Sequence, residues 1–141
     1  MTLGFSNLTL QARGKTMILG RTVLGTSAVV FIAYGVVSLV SPAIPSGLAG
    51  LEMTTGDAYA EIGAMYGGLQ TGIGFFCLLA LLKVEFYRAG LALLALAIGT
   101  LAVARLLSFL LATDAVGAYT YGALVYEFAT AILASIAFSR K

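Results

Sequence analysis

Residues 91–112 read LALLALAIGTLAVARLLSFLLA. About 20 apolar residues in a helix cross the hydrocarbon core of a bilayer, so this stretch reads as a transmembrane helix. It holds one formal charge, Arg105. A guanidinium in lipid is costly and is expected to face protein, water or a partner acid. The rest of the chain can be read as an answer to that arginine.

Of the 141 residues, 60 % are hydrophobic and only 10 % are charged. A soluble domain carries about a quarter charged residues. So few charges do not cover a domain of this size in water, and the bilayer is the expected solvent. The chain has no histidine, which removes His-ligated metal or haem and any His-based triad or proton shuttle. Its single cysteine, Cys77, removes intrachain disulfides and Cys-cluster metal sites. It lies in an apolar helix and reads as a packed neutral thiol. No Gly-rich phosphate loop is present, and neither metal nor cofactor is expected. A net charge of +2 with its basic residues at helix ends points to membrane topology and away from nucleic acid.

Residues 1–15 are polar with poorly spaced apolar side chains, and are expected to form a mobile or interfacial tail. Residues 16–141 form one domain with spans at about 20–41, 58–82, 89–112 and 120–138. The first run is longer than a secretory signal core, which is about 7–15 residues, and is expected to be a retained helix. Pro42 and Pro45 stop it, and Ser46 to Met53 is expected to lie as a short interfacial turn. Thr55 or Asp57 is the expected N-cap of the second span. Residues 83–88, KVEFYR, and 113–119, TDAVGAY, are expected turns.

This gives an all-α fold, an integral membrane four-helix bundle running up-down-up-down with antiparallel neighbours. Arg13, Lys15, Arg21, Lys83, Arg88, Arg140 and Lys141 then fall on one side. The opposite loops hold Glu52, Asp57 and Asp114 and no base. By the positive-inside pattern both termini are cytoplasmic.

Arg105 and Glu127 are each seven residues from the expected outer end of their helices, about 10 Å down at 1.5 Å per residue. A short loop joins those helices, so equal depth predicts an ion pair. Ala123, Thr130, Ala131 and Ala134 give the fourth helix a small-residue stripe around Glu127. Glu61, about 6 Å below the start of its helix, is a candidate third member, with Tyr66 and Tyr126 as hydroxyl donors. Two carboxylates and one guanidinium would favour a proton, a cation or an amine.

The second span carries two small-xxx-small pairs, Gly63/Gly67 and Gly68/Gly72, which let helix backbones approach. They lie about 100° or more apart on the helical wheel, so this helix is expected to touch neighbours on two sides. Gln70 is half a turn of the wheel from Glu61 and is assigned to a contact with the first helix or a second subunit.

Glu61, the run MYGGLQTGIG at 65–74, Ala104-Arg105-Leu106-Leu107-Ser108 and Tyr126-Glu127 resemble a bacterial family of uncharacterised four-helix inner-membrane proteins. This is a domain-of-unknown-function group with a looser likeness to DoxX-type proteins. The resemblance covers about Arg21 to Phe138. It implies a multi-pass protein of the bacterial inner, cytoplasmic membrane and brings no activity. No redox motif accompanies it.

Three functions are compatible with these residues. The first is a non-enzymatic accessory or helper subunit acting through helix contacts, in a larger membrane complex or a homo-oligomer. The second is a binder or transporter of a small apolar or cationic amphiphile, a bound lipid included, at Glu61, Tyr66, Arg105, Tyr126 and Glu127. The third is an enzyme such as a lipid isomerase using a carboxyl as general acid; no catalytic set beyond the carboxyls supports it.

Overall fold

The computed structural model describes the backbone of residues 2–140 and the side chains of residues 14–140. It comprises five helices: α1 (Thr2–Val40), α2 (Ala43–Ala49), α3 (Gly56–Leu82), α4 (Val84–Leu111) and α5 (Ala118–Ser139). There is no strand among the described residues. Four helices are long and apolar enough to cross a membrane, α1 through its segment Gly14–Val40. At 27 residues α3 is about 40 Å long. Two helices are interrupted by a π turn, α3 at Gly63–Gly68 and α4 at Leu94–Ile98.

Local chemistry sets the ends. α1 stops at Val40, ahead of Ser41-Pro42. The prolines then do more than break a helix. Pro42 is the N-cap of α2 and Pro45 lies in its first turn, where a missing N–H costs nothing and a fixed φ helps. The segment expected as an interfacial turn from Ser46 is therefore partly helical, and begins earlier. α2 closes on Gly50 with φ +69°, the left-handed conformation that glycine adopts without strain. Thr55 caps α3: its Oγ1 accepts the Ala58 N–H at 3.1 Å.

Two expected boundaries shift. The backbone is helical from Thr2, so no helix end separates the expected tail at 1–15 from the first span. The expected turn at 83–88 shrinks to one extended residue, Lys83, with φ −118° and ψ 113°. Helix resumes at Val84, and Glu85 falls in its first turn, where the helix dipole favours an acid. Lys141 lies outside the described residues.

The core joins all four long helices. Leu24 of α1, Cys77 of α3 and Leu91 and Leu94 of α4 are fully enclosed, with Ala134 of α5. α1 packs most closely on α3, and the reason is glycine. A Cβ on Gly74 would fall 2.7 Å from both the Cγ1 and the backbone N of Ile32, and one on Gly67 2.7 Å from Leu39 Cγ. Across the seam, a Cβ on Gly35 would meet the Thr71 amide at 2.6 Å. The contact stripe on α3 is thus Gly67, Thr71 and Gly74, an i, i+4, i+7 row. Gly63 only reaches Pro42 at 4.0 Å, and Gly68 and Gly72 have nothing within 4 Å. Of the two expected pairs, one contributes its Gly67 to a crossing and the other faces outward, rotated about 100° from the seam.

The outer surface is aliphatic. Val84 is 90 % exposed, Leu111 82 %, Val40 80 % and Val125 72 %. In water such surface costs about 25 cal/mol per Å², whereas hydrocarbon accepts it. This is a helical bundle of membrane type.

Candidate functional site

Arg105 and Glu127 form a bidentate ion pair between α4 and α5. Arg105 Nε donates to Glu127 Oε2 at 2.9 Å and Oε1 at 3.1 Å, and Nη2 donates to Oε1 at 2.7 Å. Residues 112–117 connect the two helices, which holds them side by side. The Phe109 and Tyr121 rings pack edge-on at 5.6 Å across the same seam. The Glu127 side chain is 7 % exposed and that of Arg105 24 %, so the acid is enclosed and the base has an open edge. Thr130, Ala131 and Ala134 are buried on the same side of α5; small side chains there leave room for the carboxylate.

Three phenols lie in the neighbourhood of the pair. Tyr34 of α1 and Tyr119 of α5 place their hydroxyls 3.1 Å apart. Both lie within electrostatic reach of the guanidinium, as does Tyr66 of α3. Every long helix therefore supplies a member, and α5 supplies two, Tyr119 and Glu127. Tyr66 sits in the π turn Gly63–Gly68. A π turn inserts one residue into the helical repeat and recurs at functional sites; here it sets the phase at which Tyr66 leaves α3.

Other expected members stand apart. Glu61 is exposed, upstream of the π turn, and makes no ion pair with Arg105. Tyr126 is one residue from Glu127, hence about 100° round α5, and turns into the core. It packs edge-on to Phe31 at 6.0 Å. Its buried hydroxyl neighbours Ser27 and Thr130, yet reaches hydrogen-bond geometry with no described residue. Gln70 is half-buried, with its Oε1 enclosed and unpartnered among the described residues. Tyr34 and Tyr119 are not among the site residues expected from sequence. A usable signal existed for Tyr34: it is six residues from the end of α1, about 9 Å, the same offset as Arg105 from the end of α4.

The cluster can neutralise its own charge and still offer hydrogen-bond donors. Arg105 Nη1 has no hydrogen bond among the described residues, nor does the Tyr66 hydroxyl.

No curated protein and no solved structure matches the chain. Residues 19–138 match the family described as a domain of unknown function (DUF4345). That segment takes in α3 and α4 whole, α1 from Leu19 and α5 to Phe138, and with them every member of the cluster. The chain belongs to the DUF4345 family.

Proposed function

We propose that this chain is a non-enzymatic, multi-pass membrane protein that receives the polar head of a membrane amphiphile at the Arg105 cluster. One observation carries the reading: Glu127 engages the guanidinium through Nε and Nη2 and leaves Nη1 without a hydrogen bond among the described residues, with Tyr34, Tyr66 and Tyr119 of other helices within electrostatic reach. A pair serving only to fix helix register gains nothing from three phenols. The bundle runs up-down-up-down with antiparallel neighbours. Lys15, Arg21, Lys83, Arg88 and Arg140 define a cytoplasmic end that also holds both termini. The membrane is the cytoplasmic membrane of a bacterium, following the family resemblance.

The test is native mass spectrometry of protein extracted gently into nanodiscs. The expected spectrum carries a bound amphiphile on the wild type and none on the Arg105→Met/Glu127→Leu double variant. A wild type that is free of bound amphiphile, and that takes none up on titration, overturns the reading.

A second reading rests on Gly68 and Gly72, whose Cα atoms face open space on α3. Such small pairs admit close helix approach, which suits a helper subunit contacting another membrane helix. A strictly monomeric particle with no copurifying chain would exclude it.

A further inference from the structure

We infer that the group received at the Arg105 cluster is an uncharged hydrogen-bond acceptor, the carbonyl oxygen of an ester- or ketone-bearing amphiphile. The inference rests on the reading above that the cluster takes an amphiphile head.

The argument is a balance of donors, acceptors and charge. The Glu127 carboxylate is the site's strong acceptor, and it already takes three contacts from Arg105 while nearly enclosed. What remains is mostly donors. Both Nη1 hydrogens of Arg105 and the Tyr66 hydroxyl have no described acceptor. In the Tyr34–Tyr119 pair one hydroxyl donates to the other, so one O–H stays free. A ligand that satisfies this edge must bring lone pairs.

Charge then selects among acceptors. The Arg105–Glu127 pair sums to zero, and it is the single ion pair among the described residues. A carboxylate or phosphate head would leave the site with net negative charge in a low-dielectric setting, which is costly. An amine would meet the guanidinium, with the Glu127 oxygens already occupied. The preference for a cation expected from sequence depended on Glu61 as a second acid, and Glu61 is exposed and outside the pair. A neutral carbonyl accepts from Arg105 and Tyr66 without adding charge. A plain ether offers a weaker acceptor, and an alkane offers none.

The experiment uses nanodiscs of diether phospholipid, whose lipids carry no ester carbonyl to compete. Five probes are titrated into the full-length protein: monooleoylglycerol, its 1-O-oleyl ether analogue, a long-chain methyl ketone, oleate and oleylamine. Occupancy is read by native mass spectrometry. The ester and the ketone are expected to bind, and the ether about tenfold more weakly. Tyr66→Phe removes one hydroxyl and is checked for native size and unfolding midpoint. It is expected to reduce ester binding several-fold and to leave ether binding unchanged. Tighter binding of oleate or oleylamine than of the ester, or equal binding of ester and ether, overturns the carbonyl inference and leaves the cluster reading standing. An ester preference that Tyr66→Phe and Tyr34→Phe both leave intact also overturns it. Failure of all five probes on the wild type overturns the cluster reading itself.

Discussion

Arg105 grips Glu127 from the side, through Nε and Nη2, at 2.7–3.1 Å, and leaves Nη1 uncommitted. The pair is covalently close, with α4 and α5 joined by residues 112–117, but its energy is asymmetric. Breaking a buried pair leaves one charge uncompensated, whereas removing both partners does not.

Glu127→Leu or Arg105→Met alone is therefore expected to destabilise the protein by about 3–5 kcal/mol, and the Arg105→Met/Glu127→Leu double variant to cost little or nothing. Reversible unfolding in mixed micelles checks this as a double-mutant cycle. Additive losses would mean that the two side chains do not depend on each other.

The α1–α3 crossing predicts opposite outcomes for two glycines two residues apart. Gly74→Ala places a methyl 2.7 Å from Ile32 Cγ1 and its backbone N, and is expected to cost about 1–3 kcal/mol by overpacking. Gly72→Ala meets nothing within 4 Å and is expected to be neutral, or stabilising by up to about 1 kcal/mol from helix propensity. Unfolding midpoints of the two variants, measured side by side, decide it. A destabilising Gly72→Ala in a particle larger than a monomer would instead favour the helper reading.

Thr55→Ala removes the side-chain acceptor for the Ala58 N–H. Its expected cost is about 1 kcal/mol, with Ser or Asp at the same position retaining the cap. The readout is local: backbone amide exchange at residues 57–59 accelerates in the alanine variant and not in the serine variant.

Tyr126→Phe deletes a buried hydroxyl that lacks a hydrogen bond of ordinary geometry and keeps the ring against Phe31. Stability is expected to hold or rise slightly, since an unsatisfied buried polar group costs about 1–3 kcal/mol. Tyr34→Phe, by contrast, breaks the hydroxyl pair with Tyr119 and is expected to be destabilising by about 1 kcal/mol. Equal unfolding midpoints for the two variants would remove the distinction.

Membrane character and four long helices could be read from hydropathy, because lipid demands long apolar runs and leaves few ways to disguise them. Arg105 and Glu127 were legible as a pair because charge in an apolar helix is rare and a short loop fixes neighbours. Helix phase was harder. The π turn at Gly63–Gly68 adds a residue to the repeat, so a wheel drawn at 3.6 residues per turn misassigns what shares a face with Glu61. Tyr126 is next to Glu127 in the chain, yet one helical step separates their directions by about 100°. Tyr34 and Tyr119 carry no charge to flag them and look like ordinary interface aromatics. Around Lys83 the run KVEFYR suggests a longer turn, because polar residues at a helix start look the same as a loop.

That one-residue connection has a mechanical consequence. The chain folds back at Lys83, bringing Gly90 against Ala80, and it has no slack there. With no spare residue to absorb it, a change of chain length at Lys83 is expected to carry along both helices, as far as Tyr66 on α3 and Arg105 on α4.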